Sequence, residues 1–281
     1  YNWMAYQSLK PFSVFRRLQI NYSHYVSWNF EGKHTYLGIN TNSRATFKNN
    51  WKAGLSLHYV RVDYTDSALR GGPMLKLPNS LDYNMHLTSD ESKKVKFNFR
   101  AGQTKGAENS FKKTFLSFGM TYVPINSLNI SVNAGINSNQ QELQYVTTAV
   151  SNLSSNSAPR YINASLDQDT FNLSLRLNYT LSPTMSIQYY GSPFISRGRY
   201  TNFKYITNSL ASKFTDRYQP YASNQISYDS NSGSYLIDEN LDTTTDYGFG
   251  NPNFSFIQFQ SNLVARWEYI PGSEIFLVWS Q

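Results

Sequence analysis

Between Ile257 and Tyr269 every second position turns one way. Ile257, Phe259, Ser261, Leu263, Ala265, Trp267 and Tyr269 share one face, and Gln258, Gln260, Asn262, Val264, Arg266 and Glu268 share the other. A period of two is the signature of a β-strand with unlike faces. Ile270-Pro271-Gly272-Ser273 then reads as a turn, because Pro presets φ and Gly tolerates positive φ. Glu274 to Gln281 forms a second, more apolar arm. The pair predicts a β-hairpin whose apolar face ends in aromatics just before the turn.

The same unit recurs along the chain. Residues 1–9 read as the end of a strand that enters a turn at Lys10-Pro11-Phe12. Further strands are predicted over Arg16–Phe30, His34–Phe47, Trp51–Tyr64, Leu81–Thr88 and Lys94–Thr104, then about Thr114–Tyr122, Leu128–Asn137, Phe171–Tyr179 and Met185–Tyr189. Among the cleanest is Phe171, Leu173, Leu175, Leu177 and Tyr179 against Asn172, Ser174, Arg176 and Asn178. Loops are expected at 65–78, 105–110 and 140–168, with the longest at 193–252.

Two regularities set this apart from a generic β protein. Most predicted strands have roughly ten or more residues, against a globular mode of about 5–6; about 9–11 suffice for a tilted strand to cross a bilayer. Connections also sort by length. Those near residues 11, 49, 91, 125, 183 and 271 are short and most of the others are long, apart from the reversal at 31–33. Outer-membrane barrels have short periplasmic turns and longer outer loops. The expectation is therefore an all-β transmembrane antiparallel β-barrel of about twelve or more strands, one domain over residues 1–281. Trp51, Tyr122, Tyr179, Trp267 and Tyr269 are the expected interface aromatics.

Composition sharpens this. Aromatics reach 16%, with 22 Tyr and 18 Phe, whereas charged residues are only 15%, well below the usual quarter. Mean hydropathy is nevertheless −0.50, because Asn, Ser, Thr, Gln and Tyr fill the deficit. Half-polar strands have this balance. No apolar run is long enough for a transmembrane helix. Without cysteine there is neither a disulfide framework nor a thiolate metal site. The net charge of +7 would suit nucleic acid in a soluble domain, but the cations are scattered singly and no nucleic-acid motif accompanies them. The chain opens at Tyr1 and stops within strand-like sequence, so it reads as a piece of a longer precursor.

Strand parity assigns Arg44, Lys52, Lys94, Lys96, Arg100, Lys113, Arg176 and Arg266 to the lumen, with Asp82 and Glu268 the clear opposing carboxylates. Such an excess favours anions. The alternative is that these cations pair with loop carboxylates folded inward, such as Asp238, Glu239, Asp242 and Asp246. His58 and His86 fall on neighbouring strands and would approach each other in the lumen; His24 falls on the lipid-facing side. No histidine has metal-site or hydrolase spacing, so no catalytic, cofactor or metal residues are expected. Tyr200, Tyr205, Tyr218, Tyr221, Tyr228, Tyr235 and Tyr247 suit either a contact surface for carbohydrate or a self-packed plug.

Phe256-Ile257-Gln258-Phe259, Asn262-Leu263-Val264, Arg266-Trp267-Glu268-Tyr269, Pro271-Gly272-Ser273 and Leu277-Val278-Trp279-Ser280-Gln281 resemble the C-terminal region of a Bacteroidota family of unknown function. Pro11-Phe12-Ser13 with Arg16-Arg17-Leu18 extends the resemblance. It implies a carbohydrate-binding-module-like N-terminal domain outside this chain, a C-terminal outer-membrane barrel and no known catalytic residues. The expected partners are outer-membrane lipid and lipopolysaccharide, with other outer-membrane proteins and glycans. In that phylum Asp66-Ser67-Ala68 and Asp242-Thr243-Thr244 would be O-glycosylation triplets, at Ser67 and Thr243. Porin-like passage of small polar or anionic solutes is the expected function, with an accessory barrel of a larger complex as the alternative.

Overall fold

A computed structural model describes residues 1–30, 32, 34–151 and 158–281. It is all-β and antiparallel. Ten strands follow one another as β1 (Asn2–Ser8), β2 (Phe15–Trp28), β3 (His34–Phe47), β4 (Lys52–Val62), β5 (Ser80–Thr88), β6 (Val95–Gly106), β7 (Phe111–Ile125), β8 (Leu128–Ser151), β9 (Ala158–Ser182) and β10 (Met185–Ile206). Four short strands come next: β11 (Tyr218–Pro220), β12 (Ile226–Asp229), β13 (Ser234–Ile237) and β14 (Tyr247–Gly250). β15 (Phe254–Ile270) and β16 (Ser273–Ser280) end the chain. The main sheet has 13 strands, in the order β1 to β10, then β15 and β16, with β11 added to β10; β12, β13 and β14 form a separate sheet. β1 and β16 are free edges among the described residues, so the sheet is open.

The sequence-predicted strands all lie in this sheet, but two predicted loops are corrected. Most of 140–168 is strand: β8 and β9 run 24 and 25 residues. The segment 193–252 begins with strand, because β10 extends to Ile206, and then carries β11 to β14. The period of two fails there for a physical reason. β8 is bulged between Gln141 and Gln144 and again between Tyr145 and Thr147, and each extra residue reverses the side-chain parity.

The two faces differ sharply. On one face Ala101, Leu116, Ile136, Phe171, Ile195 and Ile257 lie in one row across six strands. The next row on that face is Gln103, Thr114, Ser138, Asp169, Arg197 and Ser255. An apolar band thus stops at one level in six consecutive strands. On β9 the band runs from Phe171 to Tyr179, about 26 Å at ~3.3 Å per residue. None of the described residues covers it: Leu55 is 64% exposed, Ile136 52% and Phe118 46%.

The buried core lies elsewhere. Ile162, Ala164, Phe203, Tyr221, Ile237, Tyr247 and Phe249 form one cluster, beyond the band, where the ends of β9 and β10 meet the small sheet. β9 is unbroken here, so Ile162 and Ala164 continue its polar face, the face of Thr170 and Asn172. β10 reaches the same face by a bulge between Thr201 and Lys204. Asn202 takes a φ of 50° there, and the parity switch turns Phe203 and Tyr205 into the core. It also turns Lys204 away from it. Lys204 is buried, but its ammonium donates to the Glu142 carbonyl (2.7 Å) and the Ser165 hydroxyl (3.1 Å) and lies 4.8 Å over the Tyr218 ring.

Candidate functional site

The face opposite the apolar band is polar, and the register assigns the eight sequence-predicted cations to it. Arg44 stands opposite Gly54, Lys52 opposite Thr88, Lys96 opposite Thr121 and Arg100 opposite both His86 and Ser117. Lys113 faces Thr104 and Asn139, Arg176 faces Ser131 and Tyr190, and Arg266 faces Ser186. Lys94 precedes β6 with the parity of Lys96.

Their partners divide them. Near the short turns, Lys52 pairs with Glu91, Arg266 pairs with Glu274 and reaches Glu268 at 3.8 Å, and Lys94 donates to the Pro124 carbonyl at 2.9 Å. Arg176 lies 5.1 Å over the Tyr190 ring and Lys113 5.7 Å over Phe111. Arg44, Lys96, Arg100, Lys113 and Arg176 have no carboxylate at ion-pair distance among the described residues. Asp82 shares their face, but its oxygens accept from Asn84 (3.0 Å) and Thr104 (2.8 Å).

The loop carboxylates make their contacts elsewhere. Glu239 takes two 3.0 Å hydrogen bonds from Arg160 and one of 2.6 Å from the Tyr247 hydroxyl. Asp238 accepts from the backbone N–H groups of Asp242 and Thr243, Asp242 accepts from Thr244, and Asp246 accepts from the Glu239 N–H. Burial pushes the Glu239 carboxyl up, but the hydrogen bonds from Arg160 and Tyr247 and the Arg160 charge outweigh it and hold the group below the usual carboxylate range. Burial raises the Tyr221 and Tyr247 hydroxyls well above the tyrosine range, which keeps both as neutral donors.

Most of the loop tyrosines pack on one another. Tyr221 and Tyr247 are buried and joined at 3.1 Å, Tyr205 lies 5.2 Å from Tyr221, and Tyr235 stacks on Phe249 at 5.5 Å. Tyr200 and Tyr218 are half-buried, and Tyr228 is the exposed member. Three connections are tied together beside this core. The buried Arg217 guanidinium donates to the carbonyls of Ala211, Ser212 and Lys76, and the Phe214 N–H donates to Glu108. Arg160, Lys204 and Arg217, which anchor this region, lie in segments read from sequence as loop.

The expected approach of His58 and His86 is corrected. His58 faces Asp82, whereas His86 faces Gly54, so they stand four residues apart along the strands, about 13 Å. His24 shares a face with Ile39 and contacts Asn2 at 3.2 Å. His34 bonds Asp63 at 2.5 Å, and Asp63 also takes Arg61 at 2.8 Å; no serine joins that pair among the described residues. No group of three or more His, Cys, Asp or Glu has metal-site geometry among the described residues.

Trp51, Tyr122, Tyr179, Trp267 and Tyr269 belong to the apolar face, each near a short turn. Tyr122 faces Ile130, Tyr179 faces Leu128 and Ile187, and Trp267 faces Met185 and Ile275. Tyr269 lies 6.0 Å from Trp267. Ser67 and Thr243 are exposed at the opposite edge, in the long connections.

The family model described as Domain of unknown function (DUF5916) matches residues 1–281, and the chain belongs to that family. No curated protein and no solved structure matches it.

Proposed function

We propose that this chain is the barrel of a bacterial outer-membrane protein that passes small polar or anionic solutes. The observation that carries the reading is the single level at which the apolar band ends, between the Leu116–Ile136–Phe171–Ile195 row and the Thr114–Ser138–Asp169–Arg197 row. A sheet that packs on a protein partner has no need of one boundary across six strands; a bilayer imposes it. At a tilt of ~40° the band is about 20 Å tall, against the ~25 Å of outer-membrane barrels. The five aromatics at the short-turn edge fit a headgroup girdle. In lipid every edge needs a strand partner. β1 and β16 therefore pair with each other or with further strands, and the exposed Tyr6, Leu277 and Trp279 on them become lipid contacts.

The polar face then lines the passage, and its cations without carboxylate partners favour anions. The test is planar-bilayer recording of the full-length protein across a salt gradient. Stepwise conductance with an anion-selective reversal potential is expected, shifted toward zero by Arg100→Gln with Arg176→Gln. Unchanged reversal potentials in that variant would remove the cations from the mechanism.

A second reading is an accessory barrel with a plugged lumen, in a larger outer-membrane complex. The small sheet favours it, because β12 to β14 pack on the continuation of the polar face. A silent bilayer, with partner proteins retained after mild extraction, would select it. Lipopolysaccharide and surface glycans are proposed partners in either reading. Placement in Bacteroidota and modification at Ser67 and Thr243 rest on the resemblance of the closing hairpin; unmodified loops by mass spectrometry would remove the latter.

A further inference from the structure

Four adjacent strands bring Arg44, Gly54, His86 and Arg100 into one row on the polar face. Gly54 leaves the space that the His86 ring fills. A methyl group at residue 54 would lie 2.1 Å from the imidazole Cε1, so the ring leans over the glycine toward Arg44. Arg100 flanks it on the other side, and the charges of both arginines reach His86. The row continues through Ser117 to Gly135, where Asn172 leans over the glycine in the same way, its Oδ1 2.6 Å from where a methyl would be. The His86 ring over Gly54 thus fills the gap between the two arginines, and Asn172 over Gly135 borders Ser117 on its far side.

The surroundings leave this row without a counter-charge. The row on one side is Asn42, Ser56, Asn84 and Gly102, and on the other Thr46, Lys52, Thr88 and Asn98. Neither contains a carboxylate. Arg44 and Arg100 are exposed, and neither guanidinium makes a hydrogen bond or ion pair among the described residues. Three strand spacings separate their backbones, about 14 Å, a span that two arginine side chains cover by reaching inward. Like charges gathered without a partner cost stability, and guanidinium groups are matched by oxygen anions that accept two hydrogen bonds at once.

We propose that Arg44, His86 and Arg100 form an oxyanion site for the phosphate or carboxylate group of a small solute. The inference rests on the polar face being accessible to solutes, as the proposed passage requires. It does not depend on conduction.

The test is calorimetric titration of inorganic phosphate into the detergent-solubilised full-length protein. Saturable binding is expected, at least tenfold weaker in Arg44→Gln and in Arg100→Gln, and less than twofold weaker in Lys112→Gln, which removes one charge from the opposite face. Arg100→Lys keeps the charge without the planar fork and should bind between wild type and Arg100→Gln. Absence of saturable binding, or equal weakening by Lys112→Gln, would overturn the site. A conducting protein with no arginine-dependent phosphate binding would refute the site and leave the channel standing. A silent protein that binds phosphate through both arginines would do the reverse.

Discussion

Arg160 on β9 holds Glu239, which follows β13, through two hydrogen bonds of 3.0 Å from its Nε and Nη2 atoms. The two groups are only 26% and 11% exposed, and Tyr247 adds a third bond to the same carboxylate. This contact joins the long strands of the main sheet to the segment that carries the small sheet. Arg160→Met would leave Glu239 buried beside apolar surface with one partner lost. The cost is about 2–3 kcal/mol, felt locally. Limited proteolysis should then cut residues 221–250 several-fold faster, while the band strands stay protected.

The same carboxylate makes the cap acid-sensitive. Its folded pKa lies below the ordinary glutamate value. Its contribution is therefore complete above the unfolded pKa of about 4.3 and is lost as pH falls through the lower folded value. Hydrogen exchange in β13 and β14, corrected for intrinsic rates, should rise below about pH 4. In Glu239→Gln that pH dependence should shrink to the part carried by carboxylates such as Asp242, with protection already reduced at neutral pH.

Asn202 sets which side chains face the core. With φ at 50° it makes the bulge that turns Phe203 and Tyr205 inward. Asn202→Gly should be tolerated, whereas the β-branched Asn202→Val should cost about 1–2 kcal/mol. Deleting the residue should cost less than Asn202→Val, because it removes the extra residue of the bulge and leaves Lys204 opposite Asn163 and Tyr205 opposite Ile162. Thermal unfolding of the purified protein orders the three variants.

Charges distinguish the two faces of β7. Leu116→Arg places a cation inside the apolar band, at about 2–4 kcal/mol if that band meets lipid. Ser117→Arg puts the same residue on the polar face, where the facing Arg100 adds a like-charge cost of roughly 0.2–1 kcal/mol. Urea unfolding in liposomes should show a large loss for the first and little for the second. Equal stability of the two would show that Leu116 meets water.

Residues differ in how far the sequence disclosed them. Within the band, period-two alternation places Leu173 and Arg176 on opposite faces directly, because nothing interrupts the pleat of β9. Beyond the band the pattern dissolves at Gln141–Gln144 and Thr201–Lys204, where bulges reverse parity. Phe203 consequently gave no continuous periodic signal. Ile162, Ala164 and Leu166 alternate with Asn163, Ser165 and Asp167, but on the face that is polar within the band. Tyr221 lies outside the strands, and the Arg160–Glu239 contact spans a sequence distance that no local pattern records. The cations without carboxylate partners were visible as residues, but their isolation was not. It depends on Glu239, Asp242 and Asp246 making their contacts elsewhere. Likewise, the row of Arg44, His86 and Arg100 needs the pairing register, since a slip of one residue would move a strand's side chains to the other face.

The absence of cysteine from this chain allows a direct measurement of whether one face meets lipid. Single cysteines at successive positions 115–120 on β7, each carrying a nitroxide label, would be compared in liposomes for collision with oxygen and with a water-soluble nickel chelate. A barrel in lipid predicts alternation, with positions 116, 118 and 120 favouring oxygen and 115, 117 and 119 favouring nickel. Nickel access at all six positions, or no alternation, would contradict a membrane-spanning sheet.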